Sequence, residues 1–442
     1  MNGAGERRIS PRELLVLVAL LLLAAHLRLG AVLATRVVEP VRADAADYYH
    51  YALNLRTHGV HSRTPPPAAP RPDAVRAPLY PLFLVPFVAD PPTDGMLVRI
   101  GLAQAAMGVA LVLLGWLLGR SVAGTGCGLA VAALTAISPH LVNAPVWMLS
   151  ESLFALLLLA ALVVSLDHSG RLAPNRRVFA AALLLGLAML TRPTLDFLPV
   201  PLAMAALLGK PGPPGRRTAA VLIAGVLCVM APWLARNAVS TGRLTDPTLA
   251  VSTLHHGIYP DFMLGGRPET LGFPYRFDAQ APDPADGVAG VLRELGRRAA
   301  AEPMRYASWY AIGKPVSLFA WNEVRIGDAF ILQVSDTPYF HRREFQATHL
   351  VARLLHWPLI ALAALGALLA WWRRQPPGLS TDAVRVLSLL FAYVVAVHVA
   401  GAPYPRYSVP FRPETYALAI YASLWLAAFV RARPAGTPAG RQ

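Results

Sequence analysis

Ten apolar runs leave this chain few ways to fold: Leu14–Leu33, Met96–Leu118, Val122–Ile137, Val146–Leu166, Val178–Leu190, Leu195–Leu208, Thr218–Leu234, Leu354–Trp372, Val384–Ala400 and Thr415–Val430. Inside a bilayer every peptide N–H and C=O must find its partner within the protein, so such runs become helices. A full crossing takes about 20 apolar residues. Several runs are shorter, which predicts tight turns, one of them near Thr191–Pro193. A chain 55% hydrophobic and 15% charged, with mean hydropathy +0.46, has too little polar surface for a soluble globule. The expectation is an all-α polytopic membrane protein. Its first run is long enough to span and lacks a small-residue cleavage site ahead of a soluble domain, so it reads as an uncleaved anchor.

The net charge of +15 does not point to nucleic acid, because the basic residues fall mostly between apolar runs. Nearly all are arginine; Lys210 and Lys314 are the lysines. With the N-terminus (Arg7, Arg8, Arg12) inside, the inward connections carry Arg120, then Arg171, Arg176 and Arg177, then Lys210, Arg216 and Arg217, then Arg373 and Arg374. The tail adds Arg431, Arg433 and Arg441, and all these segments are nearly free of acids. That bias sets the orientation. It places on the outward side, the periplasm or its equivalent, a first loop (about 34–95), a large loop (about 236–353) and the turn Ala402–Pro413. The segment 354–442 then holds the C-terminal spans.

Cys127 and Cys228 lie in apolar runs and imply no disulfide framework or thiolate site. There is no internal repeat, no G-x-G-x-x-G after a strand and no Walker sequence, which disfavours a nucleotide-dependent enzyme. His255 and His256, with Asp261 nearby, read as loop rather than metal site. His26 and His398 read as buried polar glue within spans. The run Asp278, Asp283 and Asp286 looks like surface. In the large loop, Ala285–Ala301 has a helical amphipathic pattern, and Pro303–Trp321 reads as an interfacial helix returning to the membrane. Ala77–Val88 is too short and Pro-interrupted to span.

Ionisable residues at a membrane boundary are costly unless solvated or paired, so their clusters draw functional attention. The first loop, RADAADYYHYALNLRTHGV, sets Asp44 and Asp47 beside Tyr48, Tyr49 and Tyr51, with Arg71, Arg76 and Tyr80 following. An interfacial helix with a tyrosine belt is the plainer reading. Glu151 (MLSESLF) opens a span, where the helix dipole favours a carboxylate and Ser150 is a possible cap. Arg192 (LTRPTLD) has Asp196 close by, a natural pair for holding a turn. Trp233, Arg236 and Asn237 (APWLARN) suit an aromatic anchor with a snorkelling arginine. Tyr404, Arg406, Tyr407 and Arg412 (PYPRYSVPFRP) occupy the last outward turn, where an arginine between two tyrosines suits a phosphate monoester.

The spacing D-x-x-x-Y-x-x-x-A-x-N-L (Asp44, Tyr48, Ala52, Asn54, Leu55), then Gly59 and R-x-P-x-Y-P (Arg76, Pro78, Tyr80, Pro81), resembles the first extracytoplasmic loop of GT-C glycosyltransferases. The glycosyltransferase family 39-like branch, with protein O-mannosyltransferases and the lipid A aminoarabinose transferase, is the nearest likeness. Glu151, T-R-P-T, P-W-x-x-R-N, Lys314-Pro315 with Trp321, and R-Y-x-x-P resemble segments of that branch in the same order. Two departures separate the chain from both named activities: Ala45 follows Asp44 where O-mannosyltransferases carry Asp-Glu, and Arg76-Ala77-Pro78 replaces the Lys-Pro-Pro of the lipid A branch.

The resemblance implies a GT-C bundle of about ten transmembrane helices with interfacial helices in two outward loops. It further implies inverting transfer of a sugar from a polyprenyl-phosphate donor. Asp44 takes the catalytic seat, with Asp47 as alternate, either as general base or as ligand of a divalent cation (Mg or Mn). Tyr48, Arg76, Tyr80, Glu151, Arg192, Arg236, Tyr404, Arg406 and Tyr407 are the expected substrate contacts. The acceptor, whether glycan, glycolipid or protein, is open. The expected place is a bacterial inner membrane with the site facing the periplasm or exterior. The competing class is a transporter or flippase of lipid-linked sugars. That class predicts inverted repeats and charges deep in spans, whereas here the charges gather at one face.

Overall fold

The computed structural model of the chain describes residues 9–167, 171–209, 213–270, 272–281, 286–321 and 333–431. Arg7, Arg8, Lys210, Asp283, Arg433 and Arg441 lie outside the described residues. Helix α1 (Pro11–Ala34) begins where Ser10 Oγ accepts from the Glu13 amide at 3.1 Å, with Pro11 supplying a ready helical φ. A short strand β1 (Arg36–Val38) follows, then α2 (Asp44–His58) and α3 (Leu79–Leu84). Helix α4 (Asp94–Ile137) starts at the Thr93 cap.

Helix α4 is a hairpin rather than a rod. Ala123 and Gly124 leave the helical region, and Gly124 at φ 77°, ψ −165° sits where a side chain would clash. The limbs fold back with almost nothing between them. A Cβ on Gly119 would lie 2.7 Å from the Cys127 carbonyl oxygen, and one on Gly128 would lie 2.8 Å from that of Trp116. Membrane helices lack a hydrophobic force pressing them together, so close backbone approach of small residues carries the contact. Buried Glu13 ties the tip of this hairpin to the start of α1, accepting from Trp116 Nε1 and Thr125 Oγ1, both at 3.2 Å. Gly119→Leu forces the limbs apart and is expected to cost ~1–3 kcal/mol or more. Gly126→Leu, at a position open to space, leaves the thermal midpoint in detergent unchanged.

Beyond α5 (Pro139–Asn143) the chain runs back and forth through α6 (Glu151–Leu166), α7 (Pro174–Met189), α8 (Pro199–Gly209) and α9 (Pro213–Thr241). The large loop carries α10 (Thr248–Gly257), α11 (Gly287–Ala301), α12 (Pro303–Ser308), α13 (Lys314–Leu318), strand β2 (Gln333–Asp336) and α14 (Pro338–His341). Helices α15 (Arg343–Leu369), α16 (Thr381–Ala400) and α17 (Arg412–Arg431) complete the described chain. Each apolar run thus has its helix, with the two α4 limbs taking two of them. Six of the described helical stretches are long and apolar enough to cross a membrane. The largest core cluster draws on α4, α6, α7 and α15–α17.

Several details differ from the sequence reading. Helix α15 begins at Arg343 rather than Leu354, and α6 begins at Glu151 rather than Val146. Strands β1 and β2 pair antiparallel, Arg36 opposite Asp336, and stitch the first loop to the large one. His26 is not buried: its side chain is 58% exposed and lies 3.6 Å from Glu344. His398 is buried, with Nδ1 2.7 Å from the Val394 carbonyl oxygen.

Candidate active site

Helix α2 opens on a bend that a side chain tolerates poorly, Ala43 at φ 51°, ψ −122°. This bend sets Asp44 in the first turn, where the helix dipole favours negative charge. Asp44, Asp47, Tyr48 and Tyr51 then share one face at helical spacing. Arg76 crosses that face. Its Nη2 donates to Asp44 Oδ1 at 2.6 Å and to Asp47 Oδ2 at 2.8 Å, and its Nε donates to Asp47 Oδ2 at 3.0 Å. The guanidinium stands 5.6 Å from the Tyr48 ring centre.

The rest of the first-loop motif holds the loop that presents Arg76. Asn54 Nδ2 donates to the carbonyls of Ser62 (2.8 Å) and Thr64 (2.9 Å), Tyr51 Oη donates to Asp73, and the Arg76 amide donates to Tyr51 Oη at 3.3 Å. Arg236 does not join the cluster. It donates to the carbonyls of Asp73 (2.7 Å) and His61 (2.9 Å), pinning the same loop from the end of α9.

Three distant segments complete the cluster. Arg406, in the 3-10 turn Pro405–Phe411, donates from Nη2 to Asp44 Oδ2, so Asp44 is gripped by an arginine on each oxygen. Glu151 at the head of α6 pairs with Arg192 at 2.6 Å, and not with Asp196 as the partner of that arginine. Tyr407 lies between the two halves: Arg192 and Arg406 stand 5.4 and 5.5 Å from its ring centre. Tyr407 thus faces an arginine from each half. Ser150 does not cap α6; it accepts from Tyr48 Oη at 3.2 Å and links the Glu151 end to the α2 face. Nothing in the sequence marked that role for Ser150.

Tyr80 is fully buried against Tyr48 and donates to Gln104 Oε1 at 3.0 Å. Tyr404 forms an outer layer, stacked on Phe262 and donating to the Gly272 carbonyl at 3.1 Å. Burial alone would push the Asp44 carboxyl up, but Arg406 and Arg76 outweigh it and hold Asp44 well below the usual carboxylate range. A carboxylate depressed in the fold stabilises it above the ordinary aspartate pKa of about 4 and loses that effect as pH falls below it. The thermal midpoint is therefore expected to fall below about pH 4, with part of that slope missing in Asp44→Asn.

The donor set does not suit the cation suggested for Asp44. Both of its oxygens accept from guanidinium, and Asp47 is committed to Arg76. Among the described residues no group of three His, Cys, Asp or Glu gathers in metal-holding geometry, His255 and His256 included.

No protein-family model matches the chain, and no curated protein matches it. Solved structures do. The archaeal oligosaccharyltransferase AglB from Archaeoglobus fulgidus, in complex with an inhibitory peptide and a dolichol-phosphate, superposes with TM-score 0.51 at 16% identity over 98% of this chain. An Archaeoglobus fulgidus oligosaccharyltransferase tethered with an acceptor peptide superposes with TM-score 0.52 at 17% identity over 95% of this chain. This chain has the GT-C fold. It spans about half the length of those two oligosaccharyltransferase chains, 52% and 50%. ArnT from Cupriavidus metallidurans matches more loosely, with TM-score 0.39 at 14% identity over 92% of this chain and 77% of that one. Within this bundle, the ion cluster sits where the first loop, α6, the turn after α7 and the α16–α17 turn converge.

Proposed function

We propose that this chain is a membrane glycosyltransferase that moves a hexose or pentose from a polyprenyl-phosphate donor to an extracytoplasmic acceptor hydroxyl, with inversion. The observation that carries the reading is the convergence of Asp44 with Arg76 and Arg406, and of Arg192 with Glu151, at one end of a GT-C bundle. The dolichol-phosphate in the AglB structure supports a lipid-phosphate donor. The basic connections at the opposite end support a periplasmic or exterior site in a bacterial inner membrane. A glycan, a glycolipid or a protein Ser/Thr would each supply the hydroxyl.

The donor phosphodiester brings one negative charge, and the guanidinium forks of Arg76 and Arg406 match its oxygens. Both forks rest on Asp44 before the donor arrives. Drawing them onto the phosphate uncovers Asp44 and restores its affinity for a proton. The acceptor oxygen then attacks the anomeric carbon from the side opposite the phosphate, its proton passes to Asp44, and the carbon–oxygen bond to phosphate breaks. The electron pair leaves on polyprenyl phosphate, which the two arginines stabilise. A phosphate leaves without protonation, so one carboxylate suffices. Asp47 keeps Arg76 in place, and Tyr48 supports it from beneath. No step is assigned to a cation.

The test is release of free polyprenyl phosphate by purified protein from a panel of polyprenyl-phosphate sugars, with acceptor extracts present. Acceptor-dependent release from at least one donor is expected. Transfer of the lipid across vesicles without release would favour the flippase class instead. Absence of release from every donor, with lipid binding indifferent to Arg76→Gln and Arg406→Gln, would overturn the assignment.

A further inference from the structure

Lys314 opens α13 and is fully buried, and among the described residues it has no carboxylate at ion-pair distance. Its Nζ donates to the Val399 carbonyl at 2.7 Å and to the Gly401 carbonyl at 2.8 Å, and it stands 3.8 Å from the centre of the Tyr310 ring. Those carbonyls close α16, where helix carbonyls lack partners of their own and the dipole favours a cation. The end of α10 backs the ammonium into place. A Cβ on Gly257 would lie 2.1 Å from the Gly401 oxygen and 2.9 Å from Lys314 Nζ.

The backbone around Lys314 serves the same contact. Trp309–Gly313 just before it is a π-turn, a rare geometry that is frequent at functional sites. Trp309 Nε1 donates to the Gly257 carbonyl at 2.9 Å, and a Cβ on Gly313 would lie 2.3 Å from the Trp309 ring. One turn beyond Lys314, Ser317 Oγ donates to the Pro403 carbonyl at 3.1 Å. The carbonyls of Val399, Gly401 and Pro403 therefore all accept from α13. Arg406 follows directly in the chain, in the turn whose guanidinium grips Asp44.

We infer that Lys314 is a positioning residue: by holding the end of α16 it fixes where the turn to α17 starts, and so where Arg406 meets Asp44. Its own hydrogen bonds reach no residue of the Asp44 cluster, so it acts through the backbone of that turn. The large loop is then part of the site's geometry rather than a cover over it. The link from Lys314 to donor binding rests on the reading above, in which Arg406 takes the donor phosphate; the link to Asp44 does not.

The first measurement needs no donor. Thermal unfolding of the full chain in detergent is followed for Asp44→Asn, Arg406→Gln and the double variant, once with Lys314 and once with Lys314→Met, which keeps an apolar stem and removes the ammonium. The non-additive part of the midpoint shift reports the Asp44–Arg406 contact, and Lys314→Met should reduce it by about half or more. The second measurement is equilibrium binding of a short-chain polyprenyl phosphate. Lys314→Met should weaken it about tenfold, and should add nothing once Arg406 is replaced by Gln. Ser317→Ala should move both readouts the same way by less. It decides the matter if Lys314→Met fails to fold, and indifference to it would then overturn the inference. A lower midpoint with the Asp44–Arg406 coupling unchanged would make Lys314 a residue of the fold alone and overturn the inference. Equal weakening of the donor with and without Arg406 would do the same. Reduced coupling in a protein that binds no donor would uphold the positioning role and count against the donor reading instead.

Discussion

Asp44→Asn is expected to slow polyprenyl phosphate release by about 10³-fold in single turnover, within the range set by loss of a general base. Donor affinity should hold or tighten, because Asn keeps the shape of the side chain while removing the negative charge that competes with phosphate for Arg76 and Arg406. A fall in rate with no weakening of donor binding distinguishes a base from a structural carboxylate. Asp47→Asn provides the comparison. It loosens Arg76 at two of its three bonds to carboxylate, so it should weaken the donor and spare most of the rate. The opposite ranking would assign the base to Asp47.

The second large effect concerns stability. Arg192→Met strips Glu151, whose side chain is 10% exposed, of its ion pair, and among the described residues its Oε2 already lacks a partner. Losing one member of a buried pair costs about 3–5 kcal/mol, because the remaining charge is uncompensated. Adding Glu151→Gln should recover most of the loss, and thermal unfolding of the four proteins of that cycle measures the coupling. Destabilisation of the same size in the double variant would show that Arg192 acts through Phe154 and Tyr407, which its guanidinium also faces. In that case the carboxylate would contribute little.

The helices were legible because lipid enforces a simple rule on any segment that crosses it, and the apolar runs obey it. Where polar residues continue a helix into water, hydropathy carries no signal. Arg343–Arg353 therefore looked like loop although it is the first part of α15. The two strands are too short to show alternation. Within the site, Asp44, Arg76 and Arg406 were visible as outward charges, but their partners were not. Proximity along the chain suggested Asp196 for Arg192; the turn after α7 instead sends that arginine to the head of α6. Arg412 looked like one more residue of an outward turn. Its burial follows from where α17 begins, which the prolines of PYPRYSVPFRP obscure.

The bond between Asp44 and Arg406 spans 362 residues. At ordinary translation speeds, Asp44 leaves the ribosome tens of seconds before its second arginine exists. Through that interval Asp44 has Arg76 but not Arg406 of its two guanidinium partners. The second hold on Asp44 forms only once the α16–α17 turn has been made. A chain cut just before the α16–α17 turn would carry most of the bundle but would have no second arginine on Asp44. Synthesis through the α16–α17 turn is thus the step that gives Asp44 its second arginine.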